Sequence, residues 1–322
     1  MTQRENTKKK KRKFKENYTR KKKQWIADKI RKYSMEDIVS DYQKLVEIGC
    51  QAKKMLNKNA GNKIIDYYTF TERLNTVGNK GVSFFQLWKN KKELEDKKYI
   101  QKILLFEKNR DILDIYKIWY KISNLYFGSI NIFRPLIAMD IYCMYQPTSI
   151  LDMTAGWFGR GIGAAALNIP KYIAIDNNRN LKTPYQKMVE FLNSQGSTTH
   201  FETYIADSVK FDYSTLEYDM VFTSPPYYDI EKYSYQKEYT SMDDWDQSFY
   251  YPLFTNTYKH LKPGGYFILN IPKNIYERVC KPLLGPPSQI IPLSKNMRFH
   301  KSQTNVKKKN RYQEYIYVWN KK

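Results

Sequence analysis

The sequence has little of what would place a protein in a membrane, a secretory compartment or a metal-binding class. Its 322 residues contain no run of about 18 apolar side chains, and no apolar stretch follows the charged N-terminus. Neither a transmembrane helix nor a secretory signal is expected, which points to an intracellular protein. Cys50, Cys143 and Cys280 lie far apart, which predicts no disulfide framework, no zinc site and a reducing compartment. His200, His260 and His300 lack ligand spacing, so no metal is expected. Acid is also scarce, with 32 Asp and Glu against 55 Lys and Arg and a formal net charge of +23. Such an excess attracts a polyanion and gains from counterion release. Nucleic acid is therefore the expected partner, ahead of a membrane surface.

Ring surface, by contrast, is abundant. Aromatic residues make up 16% of the chain and include 29 Tyr, while hydrophobic residues reach 42%. That is too much for a disordered chain, and it suits a protein that stacks on bases. The length allows a catalytic domain of roughly 150–200 residues with an accessory segment.

Charge is concentrated at one end: residues 1–32 carry 15 Lys or Arg against 3 acids. This predicts a basic arm, disordered in the free protein, in which Lys8 to Lys13 would fit a nuclear import signal or a phosphate-binding tail. Ser34-Met35-Glu36-Asp37 has the spacing of a capping box. Ile38, Tyr42, Leu45, Val46 and Ile48 then follow at helical spacing, and a similar pattern runs from Ile103 to Tyr126. Residues 33–127 are thus predicted to form a helical accessory region, with a loop at Gly78 to Gly81.

From Ile150 the pattern changes to short apolar runs separated by glycine, acid and turn residues. This is the signature of strands alternating with helices in a mostly parallel α/β sheet spanning 128–322. The predicted strands are Ser149 to Met153, Tyr172 to Asp176, His200 to Ile205, Asp219 to Thr223 and Tyr266 to Ile271. Arg311 to Trp319 alternates and would close the sheet as an edge or antiparallel strand. Ligands of open α/β sheets bind outside the carboxyl ends of the strands, so the polar residues ending the first four should converge on one crevice.

The first of these strands runs into Asp152-Met153-Thr154-Ala155-Gly156-Trp157-Phe158-Gly159 and then an Ala-rich helix. Glycines let a ligand approach backbone amides closely. The absence of a Gly-Lys-Ser/Thr ending argues against phosphate, as does the acid Asp152 before the turn, and a cationic cofactor fits better. Alone, this loop is also compatible with a tight βα connection. Asp176 ends the second strand about twenty residues after the glycines, where an acid accepts from ribose hydroxyls. Asp207 ends the third and would contact an adenine, or else cap a helix. Thr154, Ala155, Gly156, Gly159, Asn177 and Ser208 complete the candidate cofactor set in these loops.

Directly after the fourth strand comes Ser224-Pro225-Pro226-Tyr227. An exocyclic amino group on adenine or cytosine is conjugated with its ring and is a poor nucleophile. Acceptors aimed at its hydrogens draw it toward tetrahedral geometry. The Ser224 hydroxyl and the Pro225 carbonyl can supply them from a loop that consecutive prolines hold extended, and Tyr227 can stack on a flipped base. The plainer alternative is a Pro-Pro turn that only ends a strand.

With these motifs the sequence resembles the S-adenosylmethionine-dependent amino-methyltransferases of DNA, which make N6-methyladenine or N4-methylcytosine. The resemblance covers about Phe133 to Trp319. Ser224 to Tyr227 resembles that family's catalytic loop, and Leu261-Lys262-Pro263-Gly264-Gly265-Tyr266 resembles the general methyltransferase turn into strand five. Asn131-Ile132-Phe133-Arg134-Pro135 resembles the segment that helps hold the methionine part of the cofactor, which adds Phe133 and Arg134 to the cofactor set. The glycine loop is similar to that of phage and giant-virus members, and departs from the usual Asp-Pro-Phe-x-Gly-x-Gly. The resemblance implies a Rossmann-like methyltransferase sheet of seven strands, S-adenosylmethionine as cofactor and DNA as substrate. If the protein is viral, it also implies a place in the host nucleus or cytoplasm. An RNA amino-methyltransferase and an inactive nucleic-acid-binding protein of the same fold are the alternatives. Only 68 residues separate Gly156 from Ser224, which leaves no room there for a target-recognition domain. Recognition is therefore expected from the basic N-terminal region and the aromatic stretch Tyr227 to Tyr251.

Overall fold

Seven strands run β1 (Ser149–Asp152), β2 (Lys171–Asp176), β3 (His200–Ile205), β4 (Met220–Thr223), β5 (Tyr266–Pro272), β6 (Gln289–Pro292) and β7 (Glu314–Asn320) in a computed structural model. The described residues are 17–56, 58–78, 80–110, 114–228, 231–293 and 314–322. The import-signal reading of Lys8 to Lys13 lies outside them. The sheet order is β3-β2-β1-β4-β5-β7-β6. Strands β1 to β5 pair in parallel, and β7 inserts antiparallel between β5 and β6. This is the seven-stranded, mostly parallel Rossmann-like sheet that the resemblance implied. Strand order reverses between β1 and β4, so the loops leaving these two neighbours diverge and open a crevice at their carboxyl ends.

Among the described residues seven helices precede the sheet, the first six being α1 (Arg20–Ile30), α2 (Met35–Ile48), α3 (Asn62–Asn75), α4 (Phe84–Lys89), α5 (Lys98–Lys108) and α6 (Ile115–Ile122). The Ser34 hydroxyl accepts from the Asp37 amide at 3.1 Å and the Asp37 carboxylate from the Ser34 amide at 3.0 Å, a full capping box at the start of α2. The basic arm expected over 1–32 is corrected from Arg20 onward. Thr19 caps α1, and the helix buries Ile26, Ala27 and Ile30 while Lys21, Lys22 and Lys29 face outward. A one-turn spacing of apolar residues within a basic run is enough to order it. The stretch from Ile103 to Tyr126 is likewise two helices, with α5 ending at Lys108 and Asp114 capping α6.

The helical region divides between two cores. Ile26, Phe70, Phe85, Trp119 and their neighbours form one of them. Ile38, Tyr42, Leu45, Ile64 and Ile65, from α2 and the first half of α3, instead join the core on one face of the sheet. Their partners there come from α7 (Pro135–Tyr145), α8 (Gly159–Ala166) and α9 (Lys182–Ser194). Strand alternation assigns Ile150, Phe222 and Ile268 to this face and Leu151, Val221 and Phe267 to the other, under α10 (Met242–Trp245) and α11 (Tyr251–His260). Helix α7 is apolar almost all round because it lies between the sheet and the N-terminal helices.

Cys50, just after α2, is bonded to Cys143 on α7. The expectation of unpaired cysteines is corrected for this pair, and the reducing compartment inferred from it no longer follows. A separation of 93 residues hid a contact that only the packing of α7 against the turn after α2 creates. No helix among the described residues is long and apolar enough to cross a membrane. Among the same residues no group of three His, Cys, Asp or Glu is arranged to hold a metal ion.

Candidate active site

Asp152 ends β1 and is fully buried. It accepts from Arg160 Nε at 2.7 Å and Nη2 at 3.0 Å, from the Tyr172 hydroxyl at 2.5 Å and from the Thr223 hydroxyl at 2.8 Å. Four donors saturate a carboxylate. Burial disfavours the Arg160 charge, but the facing Asp152 outweighs that and raises the guanidinium pKa above its ordinary value. Asp152 therefore lies beneath the crevice, with its charge cancelled by Arg160. The expectation that it meets a cationic cofactor is corrected on this ground.

Above Asp152, the loop turns through left-handed backbone at Gly156 (φ 55°) and Phe158 (φ 66°). The turn aims the Gly156 amide at Asp176 Oδ2 (2.8 Å), while the Asn178 amide reaches Oδ1 (2.9 Å). Each oxygen keeps lone pairs for a further donor. Burial raises the Asp176 pKa above the ordinary carboxylate value, although both amides pull it the other way. Asn177 next to it donates to the Tyr235 carbonyl at 3.2 Å.

Gly159 opens α8 directly against the chain that precedes α7, and a Cβ there would stand 1.9 Å from the Phe133 carbonyl oxygen. That close approach brings Phe133 into the cavity wall, with its ring 4.9 Å from the Arg160 guanidinium. Arg134 is not brought there. It precedes α7 and donates from Nη1 to the Lys58 carbonyl at 3.3 Å.

Asp207 and Ser208 follow β3 and both line the cavity. Asp207 is exposed and accepts from the Val209 amide at 3.0 Å, a local turn that leaves its other oxygen open. The Ser208 hydroxyl donates to the Met153 carbonyl at 2.5 Å and ties this loop to the one after β1. Thr154 and Thr223 face each other with hydroxyls 2.6 Å apart, linking the loops after β1 and β4.

Ser224 and Pro226 reach the same cavity, but Pro225 and Tyr227 are not in its wall. The Tyr227 hydroxyl lies 2.7 Å from Ser224 Oγ, 2.6 Å from the Asn270 carbonyl and 2.7 Å from Glu314 Oε1. Its ring packs against the core on the α10 and α11 face of the sheet. The expected stacking platform at Tyr227 is thus corrected: its hydroxyl is drawn down to β5 and β7. Tyr250 donates to the Pro226 carbonyl, and Tyr228 donates to Asp246 at 2.7 Å.

The cavity holds about 580 Å³, within the usual range for small-ligand sites. Its far wall is aromatic, with Tyr233, Tyr235, Tyr239, Trp245 and Phe249, and its rim carries Arg179, Lys210 and Lys237. Tyr239 stacks on Trp245 at 4.4 Å. Burial, with Asp207 and Asp244 nearby, pushes the Tyr239 hydroxyl up to about 12. The aromatic segment is fastened to the helical region, where Val77 pairs with Lys232 and Glu72 Oε1 on α3 accepts from Ser234 at 2.6 Å.

Glu72, Arg160, Asn270 and Glu314 hold the site together without belonging to any of the sequence motifs that predict it, and Thr223 does so from the end of the fourth predicted strand. Arg160 alone carried a signal, as the one charged side chain inside a Gly-Ala helix eight residues past a strand-end acid. Glu72, Asn270 and Glu314 depend on pairings across the chain.

No protein-family model matches the chain, and no curated protein matches it. Solved structures of similar fold include TrmN from Thermus thermophilus, at 16% identity and TM-score 0.37, covering 58% of this chain and 49% of that one. An S-adenosylmethionine-dependent O-methyltransferase from Thermotoga maritima is similar at 18% identity and TM-score 0.36, covering 62% of this chain and 69% of that one. A methyltransferase homolog from Pyrococcus horikoshii is similar at 16% identity and TM-score 0.38, covering 58% and 67%. The chain spans about half the length of the first of these. The chemistry of the site rests on its own residues.

Proposed function

We propose that this protein transfers a methyl group from S-adenosylmethionine to an exocyclic amino nitrogen of adenine or cytosine in DNA. The observation that carries this reading is that Ser224 and Pro226, after β4, open into the same cavity as Thr154, Gly156, Asp176 and Asp207. The donor set fits the cofactor. Asp176 has lone pairs left for ribose hydroxyls, Asp207 has an open oxygen for an adenine amino group, and Thr154 to Gly156 offer loop polar groups for the methionine end. Bound there, S-adenosylmethionine supplies an electrophilic methyl group on a sulfonium. Ser224 accepts from the target amino group, which loosens its lone pair from the ring; methyl transfer would leave S-adenosylhomocysteine, and the methylated nitrogen would release one proton to water.

The aromatic wall from Tyr233 to Phe249 and the cations Arg179, Lys210 and Lys237 support a flipped base with its phosphate backbone outside. The net charge of +23 agrees with that. The preference for DNA rests on the motif resemblance. The test is radiolabelled methyl transfer to duplex DNA, single-stranded DNA and total RNA, followed by nucleoside analysis. Label on N6-methyladenine or N4-methylcytosine from DNA is expected. Label confined to RNA would replace DNA by RNA, and no label on any of the three would remove the reading.

A further inference from the structure

Four oxygens and one amide meet behind Ser224. Asn270 is fully buried on β5 and points Nδ2 at Glu314 Oε1 (2.5 Å), the Tyr227 hydroxyl (2.7 Å) and Ser224 Oγ (3.1 Å). Its Oδ1 has no hydrogen-bond partner among the described residues. The flipped amide would set that oxygen 2.5 Å from the Glu314 carboxylate, which has no hydrogen to give, so Glu314 fixes the orientation.

The hydrogens can then be counted. Tyr227 has one, and its hydroxyl oxygen lies within 2.7 Å of two groups that cannot donate, the Asn270 carbonyl and the Glu314 carboxylate. Were Tyr227 to donate to Ser224 instead, its lone pairs would face both acceptors. Its hydrogen therefore goes to one of them. The Ser224 hydroxyl, 2.7 Å away, must then donate to Tyr227. With its only hydrogen directed inward, Ser224 Oγ presents lone pairs alone to the cavity it lines.

We infer that Tyr227 is a positioning residue that acts through its hydroxyl, held by Asn270 and Glu314, to make Ser224 a pure acceptor and so select a hydrogen-donating amino group over an oxo group at the target position. This rests on the methyl-transfer reading of the cavity, and it adds the route by which β5 and β7 set the polarity of the catalytic loop. An aromatic platform would need only the ring of Tyr227. The polarity needs its oxygen.

The experiment compares wild type with Tyr227→Phe, Ser224→Ala and Ser224→Thr. One readout is affinity, without turnover, for oligonucleotides carrying adenine or cytosine against the same strands carrying hypoxanthine or uracil. The other is single-turnover methylation. Melting temperature and S-adenosylmethionine affinity report that each variant is folded. Wild type and Ser224→Thr are expected to prefer the amino base on the order of 10-fold or more. Tyr227→Phe frees the Ser224 hydrogen to turn into the cavity, so it should lose that preference and slow methylation as far as Ser224→Ala does. A Tyr227→Phe variant that keeps both preference and rate, while Ser224→Ala loses both, overturns the inference and leaves the site reading standing. If neither variant changes either readout, the methyl-transfer reading of this loop falls with it.

Discussion

Glu72 on α3 accepts from Asn178 Nδ2 at 3.1 Å, which joins the helical region to the loop whose Asp176 and Asn178 amide form the candidate ribose site. The same oxygen accepts from Asn180 at 3.1 Å and Ser234 at 2.6 Å, while Oε2 accepts from Asn75 at 3.0 Å. Only 8% of Glu72 is exposed. One buried carboxylate thus pins the loop after β2 and the aromatic segment to the same helix.

Glu72→Ala should weaken S-adenosylmethionine binding roughly 10-fold, because two hydrogen bonds to the loop after β2 and one to the aromatic segment, worth ~1.5–3 kcal/mol each to a charged acceptor, are lost. Limited proteolysis at Lys232 and Lys237 should accelerate, and saturating cofactor should slow it again. Glu72→Gln keeps an oxygen for the convergent donors and should behave close to wild type. Equal cofactor affinity and cleavage rates in wild type and Glu72→Ala would show that the helical region does not position the pocket.

Asp176 gives a pH-dependent expectation. Its folded pKa lies above the ordinary value of 3.8, so it detracts from folding stability as pH rises through the window between those two values. The carboxylate accepts through both oxygens, whereas protonation turns one of them into a donor facing the amides and ribose hydroxyls. Cofactor affinity should therefore fall on acidification, starting at a pH above the ordinary aspartate range. Calorimetry across pH should find that decline in wild type and a weaker, flatter profile in Asp176→Asn. Parallel profiles would remove Asp176 from the site.

Gly159→Ala tests the approach of the chain before α7 to the glycine loop. A Gly-to-Ala change gains about 1 kcal/mol in a helix interior, and no more than that at the first position of α8. Here the added carbon meets the Phe133 carbonyl at 1.9 Å, so the backbone must move. Overpacking of this kind costs ~1–3 kcal/mol. Thermal melting should show net destabilisation, with cofactor affinity falling as Phe133 is displaced. A melting temperature at or above wild type would contradict the close approach.

The legible parts of this fold were those with local causes. Six of the seven strands were readable from alternation and composition, with ends shifted by at most a few residues, and the capping box at Ser34 was readable from spacing. Strand β6, Gln289–Pro292, is short and mostly exposed on the sheet edge, so it lacks the apolar alternation that reveals a strand. Asp176 and Asp207 were legible because a parallel sheet puts its strand ends on one side. Local sequence offers Tyr227 only as a stacking ring, because nothing near it announces that Asn270 and Glu314, 43 and 87 residues away, converge on its hydroxyl. The Cys50–Cys143 pairing and the Glu72 hub were hidden for the same reason. Asp152 was misread differently, since a strand-end acid before a glycine loop looks alike in sequence whether it faces a ligand or a buried arginine.

That last ambiguity yields the sharpest prediction. If Asp152 served the cofactor, Asp152→Asn would cut S-adenosylmethionine affinity and leave stability nearly unchanged. The observed pair implies the reverse. Asp152 and Arg160 are 0% and 3% exposed, so removing either charge strands the other in a medium that penalises it by about 3–5 kcal/mol. Asp152→Leu and Arg160→Met should each lower the melting temperature by roughly 10 °C. The double variant removes both charges and should regain much of that loss, because the desolvation penalty of a buried pair offsets most of its attraction. Cofactor binding in the refolded double variant then separates the two roles. Affinity within a few-fold of wild type is expected, since Gly156 and Asp176 still line the cavity. A double variant that recovers its melting temperature but no longer binds would return Asp152, or Arg160, to the cofactor site.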